Sequence, residues 1–161
     1  MKRYIIALDE GTTSTRAVLY DLKKKKIERI ASRPLEQFYP ESGYVEENAA
    51  EIYAETLSAL AETIESVADT NEIAGIGVTN QRETVVMWNK KTGRPIYNAI
   101  VWQCRRTAEY CEKIKAEHSE TIYKKTGLIP DAYFSATKIK WLLENVHRRK
   151  SCWPKIIYAR A

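Results

Sequence analysis

The sequence predicts a mixed α/β domain whose sheet opens with antiparallel strands. Three observations carry this. Two apolar runs, 4–8 and 16–20, flank a polar, Gly-containing turn at 11–15, which is the pattern of a β-hairpin. Apolar residues then recur at three- and four-residue steps from Tyr53 to Val67, the period of a helix. After it, residues 73–78 are almost continuously apolar, as in a buried central strand. The opening hairpin excludes a simple doubly wound dinucleotide fold, whose first strand turns into a helix at its glycine motif.

The elements follow in order. Residues 27–38 read as a third strand, which Pro34 places at an edge or a bulge. Residues 39–43 form a loop. Asn48 is the N-cap of the long helix, with Glu51 completing a capping box, and Tyr53, Leu57, Leu60, Ile64 and Val67 are its core face. Gly75 and Gly77 in the next strand suggest close backbone packing. Residues 84–88 and 96–102 are strands around a turn containing Gly93 and Pro95. A helix spans 105–116, and a short one spans 119–125 and stops at Gly127. A loop with Pro130 follows, then an amphipathic helix over 137–146 with Ile139, Leu142, Leu143 and Val146 inward. No internal repeat or low-complexity linker interrupts the 161 residues, a length that suits one domain.

Composition narrows the function classes. No run of about 18 apolar residues exists, so no membrane span is expected. The basic, apolar start reads as a first strand, because Asp9 ends the run too soon for a signal peptide. The net charge of +5 does not indicate nucleic acid. Seven Lys or Arg against one Glu lie between 138 and 160, without the interleaved aromatic platform of a strand binder. The cluster at 23–26 sits where a solvated turn belongs. Of three cysteines, Cys104 and Cys111 are seven apart and read as two buried thiols on one helix face. A reducing, cytoplasmic setting is expected from them. His118 and His147 are isolated and receive no role.

Two motifs carry chemistry. Residues 9–16, Asp-Glu-Gly-Thr-Thr-Ser-Thr-Arg, place backbone N–H groups and hydroxyls together, as a phosphate requires. Gly11 lacks the Cβ that would block close approach, and Asp9 can hold a hydrated Mg²⁺. The same residues also fit a polar hairpin turn with a capping Asp. The second motif, residues 80–84 (Asn-Gln-Arg-Glu-Thr), ends a strand with a cation and an anion side by side. Arg82 and Glu83 can offer donors and acceptors to one small polyol, or form an exposed ion pair.

The hairpin sequence resembles the first phosphate-binding hairpin of the sugar-kinase, heat-shock-chaperone and actin superfamily. Residues 43–46, 75–84, 95–107 and 126–138 are similar to the glycerol kinase family, and the resemblance covers roughly residues 4–146. It implies a ribonuclease-H-like (actin-like ATPase) domain and ATP-dependent phosphorylation of glycerol. It implies that Arg82, Glu83 and Tyr133 hydrogen-bond glycerol while Trp102 packs on its carbons. It further implies that Thr12, Thr13, Ser14 and Arg16 serve the nucleotide phosphates, with Asp9 at the metal. Plain packing remains open for Trp102, as does a surface position for Tyr133. Arg105 and Arg106 read equally as a solvated helix start and as phosphate binders.

Departures from the pattern are Glu10 for a usual Gln, Ala132 for Pro, Ala136 for Gly, and Asn48-Ala49 for Asp-Pro. The family's catalytic Asp and adenine pocket belong to a second domain that has no counterpart in this sequence, so no catalytic base is assigned. Residues 147–161 read as an unassigned basic tail and as the least ordered part of the chain. A frameshift or premature stop after about Val146 is the expected cause, with a natural short form the second reading. Weak or absent turnover and self-association are expected of such a chain. The rival readings are a non-catalytic nucleotide-binding or interaction fragment, and a kinase of a related polyol or ketose.

Overall fold

The computed structural model describes residues 2–146 and 156–158. Two compact units emerge, Met1–Glu36 with Asn48–Gln81, and Gln37–Glu47 with Arg82–Ala161.

The first unit is a four-stranded sheet with one helix on it. Strands β1 (Tyr4–Glu10), β2 (Ser14–Asp21) and β3 (Lys26–Pro34) form an antiparallel meander. Strand β6 (Ile73–Thr79) runs parallel to β1, giving the order β3-β2-β1-β6. Pro34 ends the edge strand β3, where its missing N–H costs no ladder bond. Helix α1 (Ala49–Glu65) covers Ile6, Leu8, Ala17, Leu19 and Ala31. Asn48 caps it, accepting from the Ala50 and Glu51 amides at 3.0 and 3.4 Å, so the departure from Asp-Pro is accommodated.

Two expectations are corrected in this unit, the first of them in part. Of the expected face, Leu60 and Ile64 pack against the core and Val67, just past the helix, is buried, but Tyr53 is 68% exposed, Leu57 is also exposed, and the buried positions of α1 are Thr56, Ala59 and Thr63. Small and hydroxyl side chains fit because their polar atoms are satisfied: Thr56 meets the buried Thr15 hydroxyl at 3.0 Å, and Thr63 donates to the Ala59 carbonyl at 2.8 Å. The apolar run 73–78 is not a buried central strand. Strand β6 is an edge, Val78 is 66% exposed, and a Cβ at Gly75 or Gly77 would meet nothing within 4 Å. Apolar composition there reflects no burial within this unit.

The second unit holds β4 (Gln37–Phe38), β5 (Glu46–Glu47) and β8 (Ala99–Ile100) in one small sheet. Strand β7 (Met87–Asn89) pairs antiparallel with β9 (Ile156–Tyr158). The predicted strands 84–88 and 96–102 are thus shorter, linked by a bridge between Val85 and Ile100. The turn between them holds, with Gly93 at φ 69°. The predicted third strand, 27–38, is divided between β3 and β4 in different sheets.

Helices α2 (Ala108–Thr126) and α3 (Ser135–Asn145) complete the unit. The two helices expected over 105–125 are one. No Gly or Pro lies between 108 and 126, and ion pairs Lys113–Glu109, Lys115–Glu112 and Lys124–Glu120 carry the polar middle. Gly127 ends it at φ 71°, as expected. Leu142 of α3 is buried with Val85, Met87, Ile100 and Cys104, and Ile139, Leu143 and Val146 pack against them. Cys104 and Cys111 are both buried free thiols, but Cys104 precedes α2 and does not share its face. Residues 147–155 and 159–161 lie outside the described residues, whereas Ile156–Tyr158 forms a strand where no pattern was expected. Among the described residues, no helix is long and apolar enough to cross a membrane.

Candidate functional site

In the first unit, the hairpin between β1 and β2 closes where the Gly11 amide donates to the Ser14 carbonyl at 3.1 Å. The Thr13 carbonyl accepts from the Leu35 amide at 3.0 Å, and the Gly11 carbonyl from the Gln81 side chain at 3.4 Å. Thr13 is exposed, and Thr12 and Ser14 are partly so. Asp9 and Arg16 sit opposite each other in the strand register. Their side chains pair at 3.1 Å while remaining about half exposed, a weak contact that a bound anion or cation could displace.

A Cβ on Gly11 would meet the Ser14 carbonyl oxygen at 3.0 Å, so only glycine closes this turn without a shift. Gly11→Ala is expected to cost about 1–3 kcal/mol through that crowding. A thermal melt of the variant checks this. An unchanged midpoint would show that the turn relaxes freely.

Glu10, the departure beside the hairpin, is half-buried. Its carboxylate accepts from the Thr56 hydroxyl at 3.4 Å. Burial raises its pKa above the ordinary glutamate value, and that hydroxyl opposes the rise.

The second unit gathers Glu83, Trp102 and Tyr133. Glu83 adopts φ 66°, a left-handed conformation that is costly for a residue with a Cβ. That conformation is held from α3: the Glu83 carboxylate accepts from the Ser135 amide at 2.8 Å and its hydroxyl at 2.6 Å. The anion therefore sits on the first turn of a helix, where the free N–H groups and the dipole favour it. Glu83 is not the partner of Arg82. Arg82 is exposed and makes no hydrogen bond or ion pair among the described residues.

The rings of Trp102 and Tyr133 meet edge to face, with centroids 6.0 Å apart, and Tyr133 also meets Phe134 at 5.1 Å. The Trp102 amide donates to the Thr84 hydroxyl at 3.2 Å. Both rings are partly buried, so neither is plain core nor a free surface group. Arg105 grips Asp131 with both nitrogens, at 2.8 and 3.2 Å, and Asp131 accepts from the Tyr133 amide at 2.8 Å. Arg105 thereby steadies the loop bearing Tyr133.

Two residues were missed or misread. Lys138, the last residue of a matching segment, is fully buried and donates to the Glu83 and Tyr133 carbonyls. Arg106 is not at a solvated helix start. Its side chain is wholly buried, pairs with Glu46 at 2.6 Å and lies against the rings of Tyr44 and Trp141. No local sequence pattern marks these partners: Glu46 lies 60 positions from Arg106, and Trp141 lies 35.

Comparison with known proteins supplies the family. The model for the N-terminal domain of the FGGY family of carbohydrate kinases matches residues 4–159. The chain is 56% identical to glycerol kinase from Treponema denticola, over 91% of this chain and 30% of that protein. It is 53% identical to glycerol kinase from Desulforamulus reducens, over 90% of this chain and 29% of that one. It therefore spans about 30% of the length of the curated relatives it matches. Among solved structures, Plasmodium falciparum glycerol kinase with ADP superposes with a TM-score of 0.86 at 32% identity. That match covers 98% of this chain and 32% of the other. Xylulose kinase from Rhodospirillum rubrum gives 0.81 at 27% identity, covering 96% and 32%. These kinases share the actin-like ATPase fold expected for the opening meander and its parallel fourth strand. With a match running almost the length of the sequence, the chain belongs to the FGGY family of carbohydrate kinases.

Proposed function

We propose that this chain carries the polyol-binding and phosphate-binding elements of a kinase that phosphorylates glycerol at the expense of ATP. The observation that carries the reading is Glu83. A glutamate held in a strained backbone, with its carboxylate anchored on α3, is organised beside the Trp102–Tyr133 pair. Strain of this kind collects at ligand sites. A triol offers only hydroxyls and a short carbon chain. The Arg82 guanidinium would donate to hydroxyls, the free Glu83 oxygen would accept, and the Tyr133 phenol would do either. The Trp102 face would cover the carbons. The similarity to glycerol kinases, at 53–56% identity, favours this substrate over a ketose.

In the hairpin, Thr12, Thr13 and Ser14 would meet nucleotide phosphates through hydroxyls and amides, with Arg16 toward the transferred group. Mg²⁺ fits Asp9. No group of three or more His, Cys, Asp or Glu side chains could cage a metal among the described residues. A single carboxylate suits a cation that keeps its waters and leans on phosphate oxygens. When bound, the ion would neutralise phosphate charge. Asp9 would position it and Arg16 would share that charge. Glu83 is given to holding the polyol, and no carboxylate of residues 2–146 is assigned proton removal from the hydroxyl.

The test is glycerol titration of this chain followed by nuclear magnetic resonance. The Trp102 indole and Glu83 amide signals are expected to shift together and saturably. Shifts scattered over the surface, or none, would overturn the polyol reading.

A further inference from the structure

Lys138 is a large cation with no solvent exposure. Burying a lysine is costly unless its ammonium is paired or fully hydrogen-bonded. No ion pair reaches it among the described residues. Instead its Nζ donates to two backbone carbonyls, Glu83 at 2.8 Å and Tyr133 at 2.5 Å. Those carbonyls belong to two of the proposed polyol-binding residues, which are 50 positions apart in sequence. The Tyr133 ring lies 6.0 Å from the same ammonium. Glu83 must also hold a left-handed φ of 66°, and its carbonyl direction follows from that backbone. A point charge between the two carbonyls thus fixes the spacing of both peptides.

We propose that Lys138 is a positioning residue for the polyol, its buried ammonium clamping the Glu83 and Tyr133 backbones so that carboxylate and phenol address one ligand. This rests on the polyol reading above. The geometry assigns Lys138 no contact with the ligand, only with the peptides that carry the contacts. Preorganising such groups lowers the cost of binding. Its titration gives the clamp a signature. Burial pushes the Lys138 pKa down to about 8, opposed by the nearby Glu83, Cys104, Asp131 and Cys111. Above that pH the amine keeps two N–H donors but loses charge assistance, so the clamp loosens.

The stability effect has the opposite sign. A lysine whose folded pKa is depressed contributes stability above its unfolded pKa and loses it as pH falls through about 8. Raising the pH therefore favours the fold through this residue while weakening the clamp.

The experiment is glycerol titration of the full chain, its Lys138→Met variant and its Arg82→Ala variant at pH 6.5 and 9.5, with melts run alongside. The unsubstituted chain is expected to bind several-fold more weakly at pH 9.5. Lys138→Met is expected to bind at least tenfold more weakly at pH 6.5, with no further change at pH 9.5. A Cys104→Ala, Cys111→Ala chain is expected to keep the pH response, and its loss there would overturn the assignment to Lys138. Unchanged affinity in folded Lys138→Met, with only its melting point lowered, would overturn the proposal and leave the polyol reading intact. If Lys138→Met does not fold, a pH-independent affinity of the unsubstituted chain would overturn it. If Arg82→Ala and the unsubstituted chain both fail to bind glycerol, the polyol reading falls and the proposal with it.

Discussion

Glu46→Ala is expected to destabilise the chain by about 3–5 kcal/mol, because it leaves Arg106 as a buried cation without its anion. Both side chains are almost wholly buried. The Glu46 carboxylate also accepts from the Tyr97 hydroxyl at 2.8 Å and the Asn98 amide at 2.9 Å. Arg106 Nη1 already lacks a hydrogen-bond partner among the described residues, and Cys104 and the neighbouring rings supply no carboxylate to replace Glu46. For a chain of this length the loss corresponds to roughly 2–4 °C in melting temperature per kcal/mol.

The double variant Glu46→Leu, Arg106→Met is expected to be less damaged than Glu46→Ala alone, since it removes both desolvated charges and keeps volume. The reverse order in thermal melts would show that the pair itself stabilises the fold. Burial alone would raise the Glu46 pKa. Hydrogen bonds from Arg106, Asn98 and Tyr97 outweigh it and hold the carboxyl below its ordinary value. A depressed folded pKa means this contribution is present above about pH 4.5 and is lost on acidification below it.

That ion pair marks the boundary of what the sequence could disclose. The residues proposed to meet ligands were readable because they are locally contiguous: Asp9 to Arg16 in one turn, Arg82 and Glu83 side by side, Trp102 and Tyr133 within matched segments. The supports were not. Arg106 reaches Glu46 across 60 positions and Lys138 reaches Glu83 across 55, and no local period reports such a partner. Arg106 beside Arg105 therefore looked like surface, although the two arginines have opposite fates.

The same limit explains the misplaced faces. In α1 the helix period was right and the buried stripe right only for Leu60, Ile64 and Val67, because Thr56 and Thr63 satisfy their hydroxyls against Thr15 and the backbone and take the buried positions. A hydropathy pattern counts them as polar. In β6 the error ran the other way: apolar residues signalled burial, and the strand lies exposed at the edge of its sheet. Helix α2 runs unbroken through the polar stretch where the sequence pattern predicts an interruption, because i, i+4 ion pairs support it.

Arg82→Ala separates ligand recognition from stability more cleanly than any other change in the chain. Arg82 is exposed and without a partner among the described residues, so its removal is expected to move the melting midpoint by no more than about 0.5 kcal/mol of stability. Its neighbour Glu83 keeps its anchorage on Ser135 and Lys138, so the strained backbone survives the substitution. Glycerol, by contrast, would lose a charged donor to its hydroxyls, worth about 1.5–3 kcal/mol. That is a fall in affinity of roughly 10- to 150-fold. Calorimetric titration at fixed pH measures it directly, with the Trp102 indole signal as the local reporter. Lysine at the same position would restore the charge without the planar fork, so Arg82→Lys is expected to recover only part of the affinity. Equal affinity for the unsubstituted chain and Arg82→Ala would remove Arg82 from the site and leave Glu83 and Tyr133 to hold the polyol alone.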